Sequence, residues 1–299
     1  MMFRIYRRLH VAGSALPPAV RGMLWMAASG LVFTLLNTIM RLLTTEINSF
    51  QTQFLRYVCG IFVMLPLVLR AGFAAYAPRG LTGQLWRGVI HTLGITLWFM
   101  ALPHLALADI TAIGFTSPIF VMLGAVLLLG EKPIWERWAA SAIGLLGVAI
   151  VVAPKFQGGG GGYALMMLAT APLFAGSFLI TKALSRRDRP EVIVVWQSIT
   201  VSVFSLPMAA LHWVWPTLGQ WALFMVCGMI GSLGHYFSNR ALRATDVSAT
   251  QSIKFLDLIW SVLAGLVVFS DVPSATTMLG AGVIFISTTW IARREARRR

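Results

Sequence analysis

The sequence predicts an all-α integral membrane protein of ten transmembrane helices, arranged as two inverted five-helix repeats. Three observations predict it. Of 299 residues, 58% are apolar and only 11% charged, with a mean hydropathy of +0.78, whereas soluble domains coat themselves with roughly 25% charged residues. Apolar stretches of about 20 residues, the length that crosses ~30 Å of hydrocarbon, follow one another between Pro, Gly and charged interruptions. The second half of the chain repeats the first.

The same composition excludes other classes. Eighteen Phe, 11 Trp and 14 Met argue against disorder. The formal charge of +14 sits in short Lys/Arg runs between apolar segments, with no basic stretch interleaved with stacking aromatics, so nucleic acid is not a predicted partner and membrane lipid is. Cys59 and Cys227 lie inside apolar segments without a nearby His or Cys, which reads as packing rather than a disulfide or a zinc site. No metal or cofactor is expected. The opening segment MMFRIYRRLHVAGSALPPAV lacks the apolar core of a cleavable signal, so it is expected to be retained.

The first five spans run over Gly22–Leu43, Ser49–Leu69, Gln84–Pro103, Ala108–Leu129 and Ile134–Ala153. Span 1 places Thr34, Asn37 and Arg41 on one face, and intramembrane polar residues face a cavity, a partner helix or their own backbone. Span 2 carries Arg56 near its start, where a long side chain is expected to snorkel to the interface. His91 and Trp98 align on span 3. Span 4 offers Thr111, Ser117, Pro118 and Phe120, and a proline there frees a backbone carbonyl for a ligand or merely kinks the helix. Ala140, Ser141, Gly144 and Gly147 on span 5 could join two copies in a homodimer or pack internally.

A Gly-rich linker over 154–162 leads to the second set, Tyr163–Leu184, Glu191–Leu211, Thr217–Leu242, Val247–Phe269 and Ser274–Ile291. Span 6 offers Thr170, Ser177 and Thr181. On span 8, Gly228, Ser232, His235 and Asn239 fall within about 60° at 100° per residue. Because an unperturbed imidazole titrates near neutral pH, His235 is a candidate proton relay, the alternative being a bonded core histidine. Span 9 is richest: Thr250, Gln251, Lys254, Asp257 and Ser261 share an arc of about 120°. Lys254 and Asp257, spaced i, i+3, are expected to pair, or to meet a substrate carboxylate and to titrate during transport.

The chain thus divides into a cytoplasmic segment over 1–21, repeat 1 over 22–153, the linker, repeat 2 over 163–291 and a basic tail over 292–299. With both ends in the cytoplasm, 20 of the 24 Lys and Arg fall on that side and only Arg41 and Lys155 fall outside, which predicts this orientation. The shift that lays Leu93-Gly94 on Leu233-Gly234 also lays Ala101-Leu102 on Ala241-Leu242, Phe115 on Phe255 and Pro133 on Pro273. Because each copy has an odd number of spans, the copies must be inverted, an arrangement that lets a shared cavity open to either side.

The stretches ALADITAIGFTSPIFVMLGAVLLLGEKP (106–133) and DVSATQSIKFLDLIWSVLAGLVVFSDVP (246–273) resemble the repeat signature of EamA-type transporters in the drug/metabolite transporter superfamily. FLRYVCGIFVMLPL (54–67) is similar too. The resemblance implies a cavity lined by spans 1, 3, 4, 6, 8 and 9. Leu258 stands where repeat 1 has Pro118, so a proline-broken helix is expected in span 4 only, and Ser270-Asp271 replace Gly130-Glu131.

The expected function is export of amino acids, aromatic and other neutral ones, or of related small metabolites across the bacterial inner membrane. Riboflavin and S-adenosylmethionine carriers are neighbouring likenesses and give the alternative substrates. An enzyme is not expected, because neither G-x-S-x-G nor H-E-x-x-H occurs, and no Walker sequence points to ATP hydrolysis. A channel or scaffold is a further class. The candidate cavity residues are Thr34, Asn37, His91, Trp98, Ser117, Pro118, Phe120, Ser177, His235, Asn239, Gln251, Lys254, Asp257 and Ser261.

Overall fold

The computed structural model describes residues 16–114, 116–132, 134–152, 161–211, 213–254, 256–270, 272 and 275–296. Among them every regular element is a helix and no strand occurs. Backbone in hydrocarbon must bond within its own segment or within a closed barrel, and uninterrupted apolar runs select the helix.

In chain order the helices are α1 (Pro18–Thr44), α2 (Ser49–Ala71), α3 (Leu81–Ala101), α4 (Leu107–Gly114), α5 (Ser117–Leu129) and α6 (Trp135–Val152). The second half holds α7 (Gly161–Leu184), α8 (Pro190–Leu211), α9 (Leu218–Ala244), α10 (Val247–Ile253), α11 (Leu256–Phe269) and α12 (Ala275–Ala296). Short 3-10 turns occupy Phe73–Tyr76 and Leu102–His104. Among the described residues six stretches are long and apolar enough to cross a membrane: α1, α2, Leu81–His104, Leu165–Leu184, α8 and α9. The expected linker lies outside the described residues up to position 160, and α7 begins at Gly161.

Local chemistry sets the ends. Pro18 opens α1 where its missing N–H is not needed. The Asn48 side chain accepts the Phe50 N–H at 2.9 Å to cap α2, and Thr217 with Gln220 forms a capping box at α9. Gly130 closes α5 in the left-handed region, at φ 67°. Its counterpart Ser270 closes α11 at φ 55°, a conformation that a side-chain-bearing residue holds at a cost.

The proline-broken helix expected in span 4 is not the one interruption among the described spans. Span 4 divides into α4 and α5, with Pro118 in the first turn of α5, but span 9 divides as well, into α10 and α11 around Lys254. No proline stands at that second break. The interruption therefore belongs to the packing of the repeat: α10 lies on α5, and α11 lies on α4.

Helix partners follow the duplication. α1 packs on α9 and α3 on α7; α2 packs on α8 and α6 on α12. In addition α2 meets α9, α3 meets α8, α5 meets α7 and α11 meets α1. Exchanging the two halves returns α2–α8 and α6–α12 to themselves and converts each other pairing into one of the same set, which is the contact pattern of a pseudo-two-fold axis. At the α2–α9 crossing, a Cβ on Gly228 would stand 2.6 Å from the Gly60 nitrogen, so the backbones touch and no larger residue fits. Cys59 and Cys227 are fully buried there as free thiols. Ala140, Ser141, Gly144 and Gly147 face inward on α6, and Ser287 of α12 donates to the Ala140 carbonyl at 2.6 Å, so this stripe packs internally.

Candidate substrate cavity

The two halves enclose a cavity of about 260 Å³, walled by α1, α2, α3, α4, α7, α9 and α11 with the first residue of α5. Spans 1, 3, 4, 6, 8 and 9 all contribute, and span 2 joins them. Eleven of the candidate residues line it: Thr34, Asn37, His91, Trp98, Ser117, Ser177, His235, Asn239, Lys254, Asp257 and Ser261. The side chains of Pro118 and Gln251 lie outside the described residues.

Phe120 is corrected. It is 44% exposed and shares an outward apolar face with Leu123 and Leu127, spaced as one side of α5, while only Ser117 of that helix reaches the cavity. Arg41 does not line the cavity either; its guanidinium stands 4.4 Å over the Phe269 ring.

One end of the cavity is an imidazole cluster with assignable hydrogens. Arg87 can only donate, and it donates to Gln197 Oε1 and, at 3.2 Å, to the Ile193 carbonyl. That orients the Gln197 amide. Its Nε2 must then donate to His91 Nε2 at 2.9 Å and to His235 Nε2 at 3.2 Å, so both rings accept there. Tyr57 Oη stands 2.9 Å from the same His91 Nε2, whose one lone pair the Gln197 N–H takes, and with Nε2 an acceptor the ring proton sits on Nδ1 and is donated to Ser177 Oγ at 3.2 Å. Phe33 sits edge-on to His235 at 4.9 Å between centroids, Phe174 lies 5.5 Å from His91, and the two imidazoles are 5.8 Å apart. Five helices, α2, α3, α7, α8 and α9, are tied together by this network.

Three residues at this end are not among the sequence candidates. Arg87, at the start of span 3 and counted among the 20 cytoplasmic-side charges, lies inside α3 at 3% exposure. Arg56 is expected to snorkel, yet it is 5% exposed and lines the cavity, with its guanidinium 4.3 Å over the Tyr57 ring. Glycine at 231 makes this room, since a Cβ there would meet Arg56 Nη2 at 3.0 Å. Gln197 is the third. The shift that lays Arg41 on Lys182 lays Arg56 on Gln197, a signal in the duplication that singles out both.

The other polar group is Lys254 and Asp257. They form no salt bridge among the described residues, contrary to expectation, because the chain breaks between α10 and α11 and the pair does not share one helix face. The Lys254 ammonium lies 5.3 Å from the Phe178 ring centroid. Asp257 lies against Gly30 of α1, where a Cβ would collide with its carboxylate, and its Oδ1 has no hydrogen-bond partner. Thr250, expected on the same stripe, is fully buried and donates to the Val247 carbonyl.

The remaining candidates hold helices together or face the space. Ser261 meets Thr111 at 2.7 Å, joining α11 to α4, and Ser117 donates to the Ala171 carbonyl at 3.0 Å, joining α5 to α7. Thr34 bonds back to the Gly30 carbonyl at 3.1 Å, and Asn239 reaches the Pro190 carbonyl at 3.4 Å. Trp98 packs edge-on against Phe99. Asn37 lines the cavity with its amide unengaged among the described residues. No group of three or more His, Cys, Asp or Glu among them could hold a metal ion.

Known proteins place this architecture. The EamA-like transporter family model matches residues 20–153 and again residues 161–293. The chain is 35% identical over 283 residues to a riboflavin transporter of Rhizobium johnstonii, covering 94% of this chain and 93% of that one. It is 28% identical over 282 residues to an S-adenosylmethionine uptake transporter of Rickettsia prowazekii, covering 94% and 95%. It is 26% identical over 276 residues to a pseudopaline exporter of Pseudomonas aeruginosa, covering 92% and 96%. A solved crystal structure shares the fold at a TM-score of 0.72 and 19% identity, over 92% of this chain and 99% of that one. With the family model met once in each half and relatives aligned nearly end to end, this multi-pass membrane protein belongs to the EamA-like transporter family.

Proposed function

We propose that the protein is a secondary transporter of the bacterial inner membrane that carries a flat heteroaromatic metabolite, of the riboflavin or adenosyl kind, through the central cavity by alternating access. In this reading ten crossings form two inverted repeats of five, both termini are cytoplasmic, and the exchange of half-to-half contacts opens the cavity to either side. The observation that carries it is the wall of the cavity. Phe33, Tyr57, Trp98, Phe174, Phe178 and two imidazoles surround a space whose charged side chains fall in two groups, Arg56 with Arg87 and Lys254 with Asp257. Aromatic walls stack on a planar ring system, and the clusters fix its orientation.

The names of the relatives favour such substrates over plain amino acids. Export of an aromatic amino acid is a second reading, favoured by one observation: Lys254 and Asp257 line the cavity without pairing, as a substrate carboxylate and ammonium would require. Purified protein in liposomes tests both. Riboflavin, S-adenosylmethionine and tryptophan are offered with and without a pH gradient. Saturable flux of riboflavin or S-adenosylmethionine is expected, flux of tryptophan alone moves the assignment to the second reading, and no flux of any of them defeats the transport reading.

A further inference from the structure

We infer that the end of the cavity formed by Arg56 and Arg87 is an oxyanion subsite, so that the carried metabolite bears a carboxylate or phosphate that docks there. The inference takes the occupant's role from the transport reading, whereas the binding it asserts stands on the side chains alone.

Both guanidiniums are removed from water, at 5% and 3% exposure, and both line the cavity. Neither is paired with a carboxylate among the described residues. Asp257 is the one acidic side chain in the described wall, and it lies against Gly30 of α1. Arg87 is partly satisfied by two neutral acceptors, Gln197 and the Ile193 carbonyl, and its Nε meets none. Arg56 has only the π face of Tyr57, and its Nε and Nη1 meet no acceptor at all.

Arginine cannot shed its charge in a protein, and a guanidinium at membrane depth is costly unless something answers it. Two of them around one chamber, without a counter-ion, are an incomplete site. The group that completes it follows from shape. A planar fork of N–H donors matches the two oxygens of a carboxylate or phosphate, and a neutral carbonyl would leave both charges uncompensated. Asn37, in the same wall with its amide unengaged, supplies a neutral donor to the same chamber. The rings of Tyr57 and Phe33 stand next to this end through their contacts with Arg56 and His235, which makes an aromatic acid the fitting class.

The test is equilibrium binding by titration calorimetry in neutral detergent, with matched pairs that differ in the acidic group: riboflavin 5′-phosphate against riboflavin, and indole-3-acetate against indole-3-acetamide. Because no flux is read, binding without transport would fail the transport reading and leave the subsite standing. In the wild type the acidic member is expected to bind about tenfold tighter or more, the scale of a charge-assisted hydrogen bond. Arg56→Gln should reduce that preference to about twofold or less, with a monodisperse elution profile in detergent reporting that the variant is folded; Arg56→Lys, which keeps the charge without the fork, should retain only part of the preference. Equal or tighter binding of the neutral members, an undiminished preference in Arg56→Gln, or no binding by either pair would overturn the subsite. Phosphatidylglycerol is titrated as a separate arm, and its displacing the acidic probes would give this end of the cavity to a lipid headgroup instead.

Discussion

Ser117 and Asp257 stand at equivalent places in the two repeats and meet equivalent neighbours: Ser117 donates to the Ala171 carbonyl of α7, and Asp257 lies against Gly30 of α1, the residue that the duplication lays on Ala171. The contact is duplicated and the chemistry is not. One half closes it with a satisfied hydroxyl, the other with a carboxylate whose Oδ1 is unpartnered. The two-fold relation therefore governs how the helices pack here, while at this contact charge is carried on one side only.

That asymmetry separates two substitutions. Asp257→Asn should keep the protein monodisperse in detergent and lower flux in proteoliposomes at least about tenfold, the effect of losing one charge-assisted contact. Ser117→Ala should leave flux within about twofold and cost about 1 kcal/mol of stability for the lost bond to Ala171. Equal flux for Asp257→Asn and wild type would remove the carboxylate from the transport step.

Gly30 and Asp257 should behave as one unit. A methyl group on residue 30 has no room beside the carboxylate, so Gly30→Ala alone is expected to lower the melting temperature. Combined with Asp257→Ala it should recover most of that loss, a coupling of about 0.5–3 kcal/mol in a double-mutant cycle. Additive losses would mean that the collision is relieved by another route.

The ends of α5 and α11 make opposite predictions from the same backbone. Ser270 at φ 55° carries a strain that glycine does not, so Ser270→Gly should raise stability by about 1 kcal/mol. Gly130→Ala, at φ 67°, should lower it by a similar amount. Thermal unfolding followed by size-exclusion chromatography reads both, and a melting temperature lowered by Ser270→Gly would contradict the account.

Inversion of the repeats is tested by thiol labelling in whole cells. Cys59 and Cys227 are buried and should stay silent. A membrane-impermeant maleimide should reach Gly162→Cys, at the open start of α7, from outside, and Leu16→Cys, before α1, only after permeabilisation. Both labelled from the same side would refute opposed halves.

Much of this was readable along the chain, because apolar runs, a second half that repeats the first and isolated polar side chains are local properties of composition and spacing. They determined a helical membrane protein, its duplication, and eleven side chains that the fold gathers around one cavity. What they left undecided was the company each polar group keeps. Arg56 is interior because glycines 228 and 231 on α9 let that helix close over it, and Arg87 is interior because Ile193 and Gln197 on α8 accept its protons. Phe120 turns outward once α5 packs on α7 and α10, and span 9 breaks without a proline because α10 and α11 pack against the already broken span 4. In each case the deciding neighbour comes from the opposite half of the chain, and the free energy of a buried charge or a helix break is set by that neighbour rather than by the residues beside it in sequence.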